Sequence, residues 1–508
     1  MSKTAAIVYL IGAGPGDPGL LTLKGQSCIA RSDVVIYDYL AAPELLAHAG
    51  DDAELIYVGK KGGDHTLPQA GINDLIVAKA RQGRIVARLK GGDPFIFGRG
   101  GEEVERLIEE GIDFEVVPGV TSAVAAPAYA GIPLTHRQFT SSVTFVTGHE
   151  DPTKETSSIN WKALAQGGGT LVFFMGVKNL TYIAERLLHY GMSPETPAAL
   201  VRWGTTPRQQ TVTGALATIA DIAAAAGMAP PALIVIGEVV RLREKMKWFE
   251  TRPLFGKSIV VTRARAQASD LVSRLAELGA VCHEVPAIRI MPEEDYGPMD
   301  RAISEINTYD WLIFTSVNGV DFFFNRLFHA GLDARALGRI RTAVIGPATA
   351  ERLLGFGIKT DILPDSFRAE SVIDAFKKEP VAGKRMLLPR AKEARPILPV
   401  ELTRMGAVVD EIPVYHTIRD GEGAEGLITD LAAGNIDMIT FTSSSTVTNF
   451  KALLPENRFN ELIQNVAIAA IGPITADTAR ENGFPVHVTA DQFTIDGLCD
   501  AIVRHYCP

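Results

Sequence analysis

Val8-Tyr-Leu-Ile-Gly12-Ala-Gly14-Pro15-Gly16-Asp17-Pro-Gly-Leu-Leu-Thr22 reads as an apolar strand, a glycine-proline turn and the start of a helix. A turn of this kind lies at the carboxyl edge of a sheet and brings bare main chain close to a ligand there. The dinucleotide loop G-x-G-x-x-G would need a third glycine where this chain has Asp17, and Pro15 has no N–H for a phosphate. No Gly-Lys-Ser/Thr follows, which removes a Walker loop. Two readings remain: a nucleoside-like ligand without a pyrophosphate, or a tight β-α turn with no ligand.

Outward from this stretch, short β-rich runs alternate with helical patterns, at 6–11, 34–37, 55–58, 85–89, 143–147, 170–175 and 232–236. That alternation predicts an α/β fold. It breaks at Arg241-Leu-Arg-Glu-Lys-Met-Lys-Trp-Phe-Glu-Thr-Arg-Pro253, a charged run ending in proline. A domain is therefore expected over 1–247, a linker over 248–256 and a second domain over 257–508.

The second domain repeats itself. Lys257-Ser-Ile-Val-Val-Thr-Arg263 returns as Lys384-Arg-Met-Leu-Leu-Pro-Arg390, and Asp310-Trp-Leu-Ile-Phe-Thr315-Ser316 as Asp437-Met-Ile-Thr-Phe-Thr-Ser443, both 127 positions on. Leu278-Gly-Ala-Val to Pro286 matches Met405-Gly-Ala-Val to Pro413 at the same offset. Ile345-Gly-Pro-Ala-Thr349 matches Ile471-Gly-Pro-Ile-Thr475 at 126. Two copies are too few for a solenoid, so two facing lobes with a cleft between them are expected.

Bulk composition bounds the function. A chain of 508 residues with 46% hydrophobic and 21% charged residues has ample core for several domains. No apolar run reaches transmembrane length, and Met1-Ser-Lys-Thr-Ala-Ala-Ile-Val lacks a signal-peptide pattern. Cys28, Cys282, Cys499 and Cys507 are scattered without C-x-x-C spacing, which predicts neither zinc site nor disulfide framework, no bound metal, and a reduced cytoplasm. A net charge of −9 argues against nucleic acid but leaves room for an anionic small ligand held by local cations.

Residues 5–245 carry ordered motifs. After the Gly12–Asp17 loop come Tyr37-Asp38-Tyr39-Leu40, Val58-Gly-Lys60-Lys61, Arg88-Leu-Lys-Gly91-Gly92-Asp93-Pro94-Phe-Ile96-Phe97-Gly98-Arg99, Val117-Pro-Gly-Val-Thr121-Ser122, His136-Arg137 and Phe174-Met175-Gly176. This region resembles the uroporphyrinogen-III C-methyltransferases of the tetrapyrrole methylase family. The resemblance implies two α/β subdomains, about 1–114 and 115–245, with S-adenosylmethionine between them leaving as S-adenosylhomocysteine, and a homodimer. It assigns the cofactor to Pro15, Gly91, Gly92, Asp93, Ile96, Thr121, Ser122, Met175 and Gly204. Leu40, Phe97 and Arg137 are candidates for the tetrapyrrole, and His136-Arg137 could equally cap a helix. Ala41-Ala42 departs from the family's usual Val-Ser.

A sulfonium methyl is already electrophilic, so no activated Ser or Cys is needed; alignment of donor and acceptor supplies much of the rate. The alkylated pyrrole must later lose a proton. Asp38, just after a strand, suits a general base and Lys60 a proton donor. The structural alternatives are an Asp38 that N-caps a helix in the turn after its strand, a solvated Lys60-Lys61 pair and a Met175 that fills core.

Residues 257–508 resemble uroporphyrinogen-III synthase, through the Val-Thr-Arg start, the two Phe-Thr-Ser strand ends, the two Ile-Gly-Pro-x-Thr-Ala turns and Pro413-Val-Tyr415-His-Thr417. The resemblance implies two lobes joined by a two-stranded linker, lobe one from 257–290 plus 418–508 and lobe two from 291–417. It implies closure of hydroxymethylbilane with inversion of ring D and loss of water. Thr315, Ser316, Thr349, Ser443 and Thr475 are candidate ligands for the substrate carboxylates, or helix caps. Tyr415 is the candidate acid; its counterpart under the repeat is Ile288, so duplication does not explain a tyrosine there. The expected protein makes uroporphyrinogen III and methylates it twice to precorrin-2, towards sirohaem and cobalamin. The alternatives are another enzyme of the methylase family, or an active methyltransferase joined to a degenerate two-lobed binding module.

Overall fold

The computed structural model describes residues 6–59, 67–148, 159–262, 265–285, 288–365, 368–419 and 424–507. Two compact units result, one from residues 1–258, 274–281 and 506–508, the other from 259–273 and 282–505. No helix among the described residues is long and apolar enough to cross a membrane.

In the first unit, β1 (Ile7–Gly12), β2 (Val34–Tyr37), β3 (Glu54–Tyr57), β4 (Val86–Lys90) and β5 (Asp113–Val117) form a parallel sheet in the order β3-β2-β4-β1-β5. β4 is central and β1 lies beside it; both are covered on both faces, and Val8, Leu10, Ile11, Val86 and Leu89 are fully buried. The subdomain division expected at 114/115 falls inside β5. Ile7 pairs with Asp113 and Ile11 with Val117, so the chain leaves this sheet only after Val117. β5 is an edge strand with Asp113 and Phe114 exposed, and its mixed pattern hides it in the sequence.

Helix α1 (Gly100–Glu109) follows β4, and α2 (Ser122–Tyr129) follows β5. The chain then builds β6 (Val143–Thr147), β7 (Thr170–Phe174), β8 (Pro197–Arg202), β9 (Gln210–Ala215) and β10 (Ala232–Ile236), ordered β6-β7-β10-β8-β9. Of the neighbouring pairs only β6 and β7 are parallel. The small residues Ala123, Ala126 and Ala130 let α2 approach this sheet closely, where they share a core with Val172, Val201 and Val235. Residues 248–256 fold onto the same unit rather than forming an open tether. Phe249 and Leu254 are buried, Trp248 Nε1 donates to Ala128 O at 3.1 Å, and Glu250 accepts from Gln209 and Thr211.

Beyond them come β11 (Ser258–Val261) and β12 (Val281–Glu284), then β13 (Ile288–Pro292), β14 (Trp311–Phe314), β15 (Arg341–Val344), β16 (Arg385–Ala391) and β17 (Val408–Arg419), then β18 (Met438–Phe441), β19 (Ala467–Ala470) and β20 (Val486–Thr489). They form two sheets, β12-β11-β18-β19-β20 and β13-β17-β16-β14-β15. Shifting by the repeat offset converts β12-β11-β18-β19 into β17-β16-β14-β15, in the same order. A parallel bridge from Ala343 to Ile362 stands where β20 would fall. The second sheet is inserted between β12 and β18 of the first. Where the chain crosses, β13 runs antiparallel to the end of β17, from Ile288 opposite Arg419 to Pro292 opposite Tyr415. Pro286 lies outside the described residues.

Candidate active sites

At the carboxyl edge of the first sheet three loops meet main chain to main chain. Gly14 N donates to Gly92 O at 3.2 Å and Gly92 N to Gly14 O at 2.7 Å. A Cβ on Gly12 would lie 2.4 Å from Gly119 Cα and 2.7 Å from Gly92 O. The bareness of Gly12 is therefore spent on joining the loops, not on approaching a ligand. Gly12→Val is expected to force these loops apart, costing about 1–3 kcal/mol or more; thermal unfolding of the full chain reads the loss. Gly91 is constrained likewise, since its Cβ would sit 2.4 Å from Leu40 Cβ. Asp93 accepts from Phe95 N at 2.8 Å and, through its other oxygen, from Gly119 N at 3.0 Å. Its carboxylate is thus engaged in tying the loop after β4 to the loop after β5.

Gly92 differs. It has φ +70°, and a Cβ there would lie no closer than 3.7 Å from Ser122 N and 3.8 Å from Thr121 Cα. Its missing side chain leaves a gap lined by main chain at the start of α2, where Thr121 is the N-cap and Ser122 the first residue. Ile96 packs against the core that the α2 alanines share with the second sheet. Met175 follows β7 with φ 54° and an exposed side chain. Gly204 is pressed against Ala126, where a Cβ would come within 2.3 Å. Pro15 lies in the Gly14–Gly16 turn, and Gly16 faces Thr205 and Thr206.

Among the described residues the non-glycine positions with positive φ are Phe97, Arg99, Met175, Trp203 and Thr205. All follow β4, β7 or β8 in the first unit, and such strain collects at functional sites. Trp203 and Thr205 carry no sequence signal of this. Thr205 Oγ1 accepts from Asp17 N at 3.0 Å, and Tyr129 donates to Asp17 Oδ2 at 2.7 Å, so Asp17 anchors the first loop rather than meeting a ligand.

Asp38 follows β2, its side chain 27% exposed. One oxygen accepts from Leu40 N at 3.1 Å and the other from Arg88 Nη2 at 3.1 Å. It therefore caps its own turn and still reaches solvent. Leu40 and Phe97 are exposed, with the Phe97 ring 4.9 Å from that of Phe174. Arg137 is exposed on a loop closed by His136 and Thr140. Lys60 lies outside the described residues.

In the second unit the duplicated helices α3 (Val317–His329), α4 (Pro347–Leu354), α5 (Ser444–Lys451) and α6 (Pro473–Glu481) carry the hydroxyl candidates. Ser316 caps α3 through Gly319 N, and Ser443 caps α5 in a capping box with Thr446. Thr349 and Thr475 lie in the first turns of α4 and α6, both buried. They are helical residues rather than turn residues, and the Ser443 hydroxyl is committed to its cap. Thr315 is half-buried beside Ser316.

Ser316 does more than cap. Its Oγ lies 3.0 Å from Tyr415 Oη. Tyr415 is buried, stacked on Phe322 with ring centres 5.5 Å apart. The strand register explains its direction: Arg390 pairs with Pro413 but Ala391 with Tyr415, so Val414 is an extra residue on β17. Such a bulge breaks the alternation and re-aims the next side chain, here placing Val414 and Tyr415 both inside. Burial pushes the Tyr415 phenol above its ordinary value, opposed by hydrogen bonding to Ser316 and Asn318. Arg390, also buried, donates to Arg395 O at 2.7 Å.

Ser316→Ala and Ser443→Ala test this difference. Each removes a cap worth about 1 kcal/mol. Only Ser316→Ala is expected to slow the chemistry of the second unit, by roughly tenfold, the worth of one hydrogen bond; steady-state rates of the two variants are the check.

Comparison with known proteins agrees with this division. The family model described as tetrapyrrole (corrin/porphyrin) methylases matches residues 7–220, and the one described as uroporphyrinogen-III synthase HemD matches 269–500. The porphyrin biosynthesis protein HemD of Ruminiclostridium josui is 37% identical over 497 residues, covering 98% of this chain and 97% of its own. The uroporphyrinogen-III C-methyltransferase of Bacillus subtilis is 43% identical over 360 residues, 71% of this chain and 74% of its own. The S-adenosyl-L-methionine-dependent uroporphyrinogen III methyltransferase of Methanosarcina barkeri is 53% identical over 244 residues, 48% of this chain and 96% of its own. With one relative matched end to end and both family models in sequence, the chain belongs to the porphyrin biosynthesis HemD family, as a tetrapyrrole methylase fused to a uroporphyrinogen-III synthase.

Proposed function

We propose that this chain closes hydroxymethylbilane to uroporphyrinogen III in its second unit and methylates that product twice in its first, giving precorrin-2. The observation that carries the reading is the end-to-end match to a HemD relative, with a methylase match followed by a synthase match. The product of one reaction is the substrate of the other.

S-adenosylmethionine fits the opening at Gly92, because its lining offers main-chain groups at Gly92, Thr121 and Ser122; Ile96 and Met175 are the apolar residues we assign to it. When bound, it supplies a methyl group on a positively charged sulfur that keeps the leaving electron pair. Asp38 then accepts the proton that the methylated ring must lose, its orientation fixed by Leu40 N and Arg88. Leu40 and Phe97, exposed on the neighbouring loops, offer apolar surface to the macrocycle, and Arg137 a partner for one carboxylate.

In the second unit Tyr415 donates a proton to the departing hydroxyl, which leaves as water. The phenolate regains a proton when the newly closed ring loses its own. Burial keeps the phenol protonated for this task. Ser316, beside it, and its neighbour Thr315 are the hydroxyls we assign to orienting the substrate, while Ser443 caps a helix and Thr349 and Thr475 lie buried in first helical turns.

We further read the protein as a cytoplasmic homodimer acting on small tetrapyrroles, with no nucleic-acid or membrane partner. The acidic composition and scattered cysteines support that compartment and partner class, and light scattering tests the dimer.

Two assays on the full chain test the reading. With hydroxymethylbilane, isomer III is expected above the spontaneous formation of isomer I. With uroporphyrinogen III and methyl-labelled donor, label is expected in the tetrapyrrole. Isomer I alone would remove the synthase; an unlabelled tetrapyrrole would remove the methyltransferase.

A further inference from the structure

We propose that Arg88 is a positioning residue for methyl transfer, holding the Asp38 carboxylate from a buried charge network that ends on Glu103 and Lys90. The inference rests on the reading of Asp38 as proton acceptor.

β4 is the central strand of a parallel sheet, a place where a continuous apolar run is expected. Its sequence is Val86-Ala-Arg88-Leu-Lys90, and all five residues are buried. Arg88 and Lys90, two apart on a strand, share one face. Glu103, in the first turn of α1, meets them there, and the three are 2%, 4% and 1% exposed.

The guanidinium uses every nitrogen. Nε donates to Glu103 Oε1 at 3.2 Å, Nη1 to Leu89 O at 3.0 Å and Ile36 O at 3.4 Å, and Nη2 to Asp38 Oδ2 at 3.1 Å. Lys90 Nζ donates to the same Glu103 oxygen at 2.7 Å, and Gln69 Nε2 at 3.1 Å. Two cations and two carboxylates thus balance. Of these four charged groups Asp38 alone reaches solvent, with 27% of its side chain exposed against 5% or less for the others.

Burying ions at a sheet centre gives little net stability, since apolar residues of similar volume do as well. The arrangement instead fixes one carboxylate from behind. Leu40 N donates to one Asp38 oxygen and Arg88 to the other, while 27% of the side chain stays exposed. Arginine suits the task because it never gives up its proton, so it cannot compete for the one Asp38 takes up. Burial, reinforced by the Arg88 charge, pushes Lys90 below its ordinary value.

The test is a double-mutant cycle in the full chain, with Arg88→Met, Arg88→Lys, Asp38→Asn and the two double variants. For each, kcat and KM for uroporphyrinogen III, S-adenosylmethionine affinity by calorimetry and the melting midpoint are measured. Arg88→Met is expected to lower kcat by about 10- to 100-fold, the worth of a hydrogen bond to a charged group, with donor affinity retained and the melting midpoint lowered, because Glu103 and Asp38 lose a buried partner. Arg88→Lys recovers part of the rate. In the Asp38→Asn background the Arg88 substitution should cost less than about threefold, because coupled residues are not additive. An undiminished Arg88 effect in that background overturns the inference, as does a loss confined to donor affinity. If Arg88→Met does not fold, the Arg88→Lys arm of the cycle decides alone. An Asp38→Asn variant with wild-type rate would instead remove the Asp38 reading itself, a result separable from the others.

Discussion

Asp38→Asn in the full chain is expected to slow methylation of uroporphyrinogen III by about 10²- to 10⁴-fold, the usual worth of a positioned general base, with S-adenosylmethionine affinity unchanged. The substitution is nearly isosteric. The amide oxygen still accepts from Leu40 N, so the turn after β2 keeps its cap. What is lost is the capacity to take up a proton and the charge facing Arg88. Donor binding, read by calorimetry, is assigned in our proposal to the other loops, at Gly92 and Thr121-Ser122. A variant that loses donor affinity or melts early would show Asp38 to be a turn cap and nothing more.

Tyr415→Phe is expected to lower formation of isomer III by a similar factor, about 10²-fold or more, and to shift the product towards isomer I as spontaneous closure overtakes it. The stack on Phe322 survives, and the hydrogen bonds to Ser316 and Asn318 go, a stability cost of about 1 kcal/mol each. Chromatography of the oxidised products gives the isomer ratio. Because burial raises the phenol above its ordinary value of 10.0, its proton is retained to higher pH. The contribution of this acid is therefore flat through neutral pH and falls only above about pH 10. An isomer III rate within twofold of wild type would exclude Tyr415 as the acid.

The strands and the duplication were legible because they rest on local pattern and on self-similarity. Runs such as 34–37 and 143–147 coincide with β2 and β6. The 127-residue offset reappears as two sheets of the same strand order. The glycine loop was legible in position but not in purpose: only coordinates show that a Gly12 Cβ would meet Gly119 and not a ligand. The subdomain break was misplaced because β5, at an edge, lacks the apolar run of a central strand. Arg88 and Lys90 stand within the Arg88–Arg99 motif and Glu103 just beyond it, yet nothing in charged residues spaced along a chain says that their side chains turn inward together. Ser316 and Ser443 look alike in sequence as helix caps. The bulge at Val414 separates them, by bringing Tyr415 to one and not to its repeat counterpart, and a bulge has no local sequence mark here.

The most direct test of the central claim is a single-pot conversion. The full chain is given hydroxymethylbilane and methyl-labelled S-adenosylmethionine, and the products are separated by isomer and counted for label. Doubly labelled precorrin-2 derived from isomer III is predicted, lost with Asp38→Asn while uroporphyrinogen III accumulates, and replaced by isomer I products with Tyr415→Phe. Unlabelled isomer I alone, formed at the rate seen without protein, would contradict the account.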